Sequence, residues 1–67
     1  MDLSRTRLER LIDEHIFSER DRNILKCKWF DGMTYEAIAE QFMLSPRHVP
    51  RIVERCELII IKYIYMS

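Results

Sequence analysis

Apolar residues return along this chain at steps of three and four, the spacing of helices that bury one face. Leu8, Leu11, Ile12 and Ile16 recur in this way between about Leu3 and Ile16. Arg5, Arg7, Glu9, Arg10, Asp13 and Glu14 occupy the other faces. The segment therefore predicts an amphipathic helix with a solvated charged face. Glu9/Asp13 and Arg10/Glu14 lie one turn apart, the first pair repulsive and the second attractive, so together they decide little about stability. Arg5, Arg7 and Arg10 have two readings, a solubilising face or contacts to phosphate.

Ser18-Glu19-Arg20-Asp21 resembles a capping box with aspartate in place of the usual glutamate. It predicts a second helix to about Phe30, burying Ile24, Leu25, Trp29 and either Cys27 or the stem of Lys28. Trp29 reads as a core anchor, with base stacking as the alternative. Asp31-Gly32 ends the helix, glycine supplying the left-handed geometry of many helix ends. A third helix opens at Thr34, whose hydroxyl can accept a bond from a free first-turn amide. Glu36 lies in that first turn, where negative charge favours the helix dipole. Met33 is placed to pack as a staple against Ile38. Ala37, Ile38 and Phe42, with small Ala39, form its apolar stripe.

After Met43-Leu44, Ser45-Pro46 restarts a helix: serine caps, and proline at the first helical position gives up an amide that has no partner there. This last helix runs from Pro46 to about Tyr65. Projected at about 100° per residue, Val49, Ile52, Val53, Cys56, Ile59, Ile60, Tyr63 and Ile64 form a broad stripe facing the domain. Arg47, Arg51 and Glu54 lie opposite, followed by Leu58, Ile61 and Tyr65. One helix thus turns charge outward early and apolar groups outward late. A patch at Leu58, Ile61 and Tyr65 calls for a partner: a second copy of the chain, a different protein or a folded-back tail.

Pro50 is the fifth residue of a helix that opens at Pro46. Its missing amide leaves the Pro46 carbonyl unbonded and its ring crowds that carbonyl, at a cost of ~3 kcal/mol in a regular helix interior. A loosened or 3₁₀-like first turn lowers the cost, so the sequence predicts a distorted start. The projection turns Pro50 away from the core, where it can serve as an apolar contact.

Composition narrows the function classes. Sixty-seven residues make one domain, near the lower limit for a self-sufficient core. An apolar fraction of 48% argues for a globular chain and against disorder. Lysine plus arginine (11) equal aspartate plus glutamate (11), and zero net charge is weak support for binding a phosphate backbone. The distribution is more favourable. Residues 34–44 carry only Glu36 and Glu40, whereas 45–55 carry Arg47, Arg51 and Arg55 against Glu54, a move from −2 to +2.

Cys27 and Cys56 lie far apart on apolar helix faces and read as buried free thiols, a bridge between them being the alternative. No signal peptide is expected from the charged start of the chain. The apolar run within Leu58–Ile64 is too short, and too interrupted by Lys62, to span a bilayer. A cytoplasmic location and no membrane partner follow as expectations. Catalysis is not expected. His15 and His48 are far apart and neither has a set of metal-ligand spacing, so no metal and no cofactor are expected. A single glycine leaves no phosphate loop. Ser45 is accounted for by capping, and Asp13 and Glu14 point to different azimuths.

The expected architecture is all-α, a small helical bundle of four helices with a long C-terminal helix, in a single domain over residues 1–67. Within it, residues of about 34–55 show the plan of a helix-turn-helix: two helices joined by three or four residues, the second carrying Arg47, His48, Arg51 and Arg55. The C-terminal helix extends beyond it over about 56–65.

The run Asp31-Gly32-Met33-Thr34-Tyr35-Glu36-Ala37-Ile38-Ala39-Glu40, followed by Leu44-Ser45-Pro46-Arg47-His48-Val49, resembles the fourth conserved region of bacterial sigma factors, which reads the upstream element of promoters. The likeness extends upstream through Ser18-Glu19-Arg20-Asp21 and Ile24-Leu25 and covers about Phe17 to Arg55. Helix-turn-helix output domains of the LuxR type resemble the chain more distantly. Pro50 departs from the pattern, since such proteins usually carry a polar or basic residue there. The resemblance implies a sequence-specific DNA-binding transcription regulator whose second motif helix enters the major groove of double-stranded DNA. Arg47 and Arg51 match positions that contact bases in such proteins. His48 and Arg55 would flank the backbone, and Thr34 would offer its amide or hydroxyl to a phosphate. A solvated helix face is the alternative for the arginines and for His48.

A homodimer through the C-terminal helix would set two such motifs about one turn of DNA apart. The rival function is a sigma-like protein-interaction module that does not read DNA and binds RNA polymerase, a sigma factor or another phage or host protein. By resemblance alone, a phage origin is implied.

Overall fold

The computed structural model describes residues 4–66. They form four helices: α1 (Arg5–His15), α2 (Glu19–Trp29), α3 (Tyr35–Phe42) and α4 (His48–Met66). Leu3, placed at the head of the first helix by its spacing, lies outside the described residues. The all-α bundle with a long last helix is as expected, and no described helix is long and apolar enough to cross a membrane.

Local chemistry explains most boundaries. Ser4 starts α1, its Oγ accepting from the Arg7 amide at 3.3 Å, a cap that the apolar spacing did not reveal. Ser18 caps α2 by accepting from the Asp21 amide at 3.3 Å. Asp21 does not close the reciprocal half of a capping box. Its carboxylate turns instead to the guanidinium groups of Arg20 and Arg55, because a buried carboxylate gains more from cations than from one amide. Gly32 has φ +65°, the left-handed turn that ends the α2 segment. Thr34 caps α3 by accepting from the Ala37 amide at 3.1 Å.

The α3 end is unusual in its residue. Met43 sits at φ 58°, ψ 45°, where L side chains crowd the backbone. The Leu44 amide donates to the Ala39 carbonyl at 2.8 Å and the Met43 amide to Glu40 at 3.4 Å. These two bonds make a Schellman motif, which satisfies carbonyls that would otherwise be orphaned.

The core is shared by all four helices. Ile12, Ile24, Leu25, Ile38, Val49 and Ile60 are completely buried, with Val53 and Cys56 nearly so. Leu8, Leu11, Trp29, Met33, Phe42 and Ile64 pack against this cluster from its margins. Of the predicted inner stripe of α4, Val49, Ile52, Val53, Cys56 and Ile60 are buried and Ile59, Tyr63 and Ile64 half-buried. Two contacts fasten α4 at different levels. His15 stacks on Tyr63 with centroids 3.5 Å apart and planes 8° apart, joining the end of α1 to the last turns of α4. The indole of Trp29 donates to Glu57 at 2.7 Å, joining the end of α2 to the middle of α4. Trp29 is half-buried, so it anchors the edge of the core, not its centre.

Candidate nucleic-acid interface

α3 and α4 are joined by the five residues from Met43 to Arg47, slightly longer than the three or four expected. The difference lies in where α4 begins. The α-helix opens at His48 and not at Pro46. Ahead of it, the His48 amide donates to the Ser45 carbonyl at 2.9 Å, a three-residue step of 3₁₀ type. Ser45 Oγ accepts from the Arg47 amide at 3.4 Å, so it folds the turn back on itself instead of capping a helix that starts at Pro46.

Pro50 is consequently the third residue of α4, within the first turn, where amides have no intrahelical acceptor to reach. The distortion expected from the sequence takes this form: the first turn is drawn out of the α-helix, and the missing amide of Pro50 costs no helical bond. Pro50 is half-buried, so it leans toward the protein body more than a regular projection from Pro46 suggested.

This geometry sets the predicted binding residues. Val49, Ile52 and Val53 are buried, which turns Arg47, His48 and Arg51 outward; all three are exposed. No hydrogen bond or ion pair holds their side chains among the described residues. Thr34 is exposed at the start of α3, and its oxygen already accepts the capping amide, leaving the hydroxyl proton free to donate. Arg55 differs from the others. Its Nη2 donates to Asp21 Oδ2 at 2.9 Å, although the side chain stays 64% exposed. It is therefore oriented by the fold as well as open to solvent.

Several other cations are committed elsewhere. Arg5 pairs with Glu9 at 2.8 Å and lies over the Phe30 ring at 4.9 Å. Lys26 pairs with Asp13 at 2.7 Å, and Lys28 sits 4.5 Å over the Tyr35 ring. Arg22 donates to the carbonyls of Ile16 and Phe17 at 2.7 and 3.0 Å, bracing the α1–α2 connection. Arg10 is exposed and Arg7 half-buried. An open groove of about 410 Å³ is bordered by Arg5, Glu9, Lys26, Phe30 and Phe42, and none of the predicted site residues lines it.

The late face of α4 carries Leu58 at 62%, Ile61 at 42% and Tyr65 at 79% exposure, the outward apolar stripe read from the sequence. Met66, at 70%, continues it. Cys27 and Cys56 are buried free thiols. Burial pushes both up from the ordinary thiol range; Asp31 adds to the rise at Cys27, and Asp21 and Glu57 add to it at Cys56 against an opposing effect of Arg55. No family model, curated protein or solved structure matches the chain.

Proposed function

We propose that the chain is a sequence-specific DNA-binding transcription regulator of the cytoplasm, built like the fourth region of a sigma factor, with the start of α4 in the major groove. The observation that carries the reading is the outward set of Arg47, His48 and Arg51, exposed and unpaired at the beginning of a helix whose opposite side is buried. A guanidinium fork matches the two acceptors on a guanine edge, and Arg47 and Arg51 take that role. His48, Arg55 and Thr34 contact the backbone. The chain binds and does not catalyse. Arg51→Ala should weaken specific binding by ~1–3 kcal/mol. Mobility of duplex DNA across a salt series is the test, because phosphate contacts make retardation strong at low salt and weak at high salt. Undiminished binding by Arg51→Ala to a selected site contradicts the assignment.

A second reading is favoured by the exposed Leu58, Ile61 and Tyr65 and by the zero net charge. Here α4 docks on a protein, RNA polymerase or a sigma factor among the candidates, and reads no DNA. Its signature is absence of retardation at any salt together with co-purification of a protein. Within the first reading the same stripe joins two copies into a homodimer. Sedimentation as a monomer at tens of micromolar removes that use of it.

A further inference from the structure

Asp21 is the only buried charged side chain among the described residues, at 6% exposure. It faces two cations from two helices. Arg20 donates through Nε and Nη2 to Oδ1 at 3.3 and 3.2 Å, and Arg55 through Nη2 to Oδ2 at 2.9 Å. One carboxylate thus serves two guanidinium groups and leaves one positive charge over. Each guanidinium has five N–H donors, of which Arg20 uses two here and Arg55 one. Their side chains are 47% and 64% exposed, so the unused donors meet solvent. Burying a carboxylate is costly unless it is fully paired, and a single arginine would suffice for that. The second cation brings two like charges to one spot, a strain that an external anion would relieve.

Arg55 also follows Arg51 by one turn, about 40° apart around α4. The pair therefore continues the basic edge that begins at the reading end. The nearby carboxylates of Glu19 and Glu54 belong to residues adjacent in sequence to Arg20 and Arg55. Neighbours on a helix diverge by about 100°, so neither lies on the same line of the helix.

We infer that Arg20 and Arg55 form a phosphate clamp for the DNA backbone, with Asp21 as the buried residue that positions both forks. Two guanidinium groups held at fixed places can grip the oxygens of one phosphate with little further loss of side-chain freedom. Arg20 lies on α2, outside the helix-turn-helix, and has no role in the motif-based reading. The inference rests on the DNA-binding function proposed above and adds to it the residues that fix the protein on the backbone.

The test is the salt dependence of retardation of a short mixed-sequence duplex, since a phosphate contact needs no particular bases. Arg20→Ala and Arg55→Ala should each flatten the plot of log affinity against log salt by about 0.9. Arg20→Lys should restore the slope without the full affinity, because lysine keeps the charge and lacks the fork. Asp21→Asn removes a negative charge, which by simple attraction would tighten binding. The clamp predicts several-fold weaker binding instead, with helicity retained by circular dichroism. An unchanged slope in Arg20→Ala, or tighter binding by folded Asp21→Asn, overturns the clamp. Arg20 is at the surface, so its variants decide the matter even if Asp21→Asn unfolds. Failure of the wild-type chain to retard the duplex at low salt removes the DNA-binding reading and the clamp together. Wild-type binding that Arg51→Ala weakens and Arg20→Ala leaves untouched removes the clamp alone.

Discussion

Replacing Pro50 by alanine tests where α4 begins. If α4 ran regularly from Pro46, Pro50 would break an internal hydrogen bond and crowd the carbonyl one turn back, at a cost of ~3 kcal/mol. Alanine would then recover that amount. With α4 opening at His48, the first-turn amides are unpaired in any case, and proline instead limits the unfolded chain. A proline that fits its place stabilises by about 0.4–1 kcal/mol through that effect. An opposing contribution comes from Val49, which is helical and completely buried, although a residue before proline is biased away from helical geometry. The two effects leave Pro50→Ala within about 1 kcal/mol of the wild type, on the destabilising side or neutral. Near the midpoint, 1 kcal/mol moves Tm by roughly 4–8 °C in a domain of this size. Thermal unfolding followed by circular dichroism should therefore show Tm unchanged or lowered by a few degrees. A rise of more than about 10 °C, the scale expected for recovering ~3 kcal/mol, would refute a helix start at His48.

One further substitution and the two buried cysteines probe the fold. Met43 occupies a left-handed position at φ 58°, so Met43→Gly should raise stability by about 1 kcal/mol in urea unfolding, whereas a loss would mean that the Schellman turn is not formed. Cys27 and Cys56 are buried with raised thiol pKa values, so at neutral pH they should resist alkylation until urea unfolds the chain. The folded state keeps their protons to higher pH than the unfolded state does. Their contribution to stability is therefore complete below the unfolded thiol pKa, roughly 8.5, and falls as pH rises beyond it. Rapid labelling of the folded chain at neutral pH, or stability that climbs with pH in this alkaline range, would contradict the burial.

The helices and the inner face of α4 were legible in the sequence because each depends on residues close together. Thr34, Ser18 and Gly32 act within a turn of where they stand, and Val49, Ile52, Val53, Cys56 and Ile60 follow the helical repeat. The capping box is incomplete because Asp21 has cationic partners besides the local amide: the adjacent Arg20 and Arg55, a guanidinium 34 residues away in sequence that only the packing of α2 on α4 brings within reach. The pairing of Trp29 with Glu57 and the stacking of His15 on Tyr63 depend on the same packing, which periodicity does not encode. Pro50 points in the sequence to a distorted first turn, and the first turn is indeed drawn out of the α-helix. The helix start moved by two residues because an i to i+3 turn at Ser45 satisfies the His48 amide and removes the conflict.

For the candidate site, the sequence located the outward cations of α4 but not which of them the fold restrains. Arg51 is free while Arg55 is held by Asp21, and a helical projection places both simply outside. Arg20 reads in the sequence only as part of the run Ser18-Glu19-Arg20-Asp21, since its place beside Arg55 follows from the packing of α2 on α4.

Selection of bound sequences from a random duplex library tests the central claim most directly, namely that the start of α4 reads bases. The account predicts enrichment of one short site, with preference at one or more of its positions relaxed when Arg51 is replaced by alanine. A folded wild-type chain that enriches no sequence contradicts it.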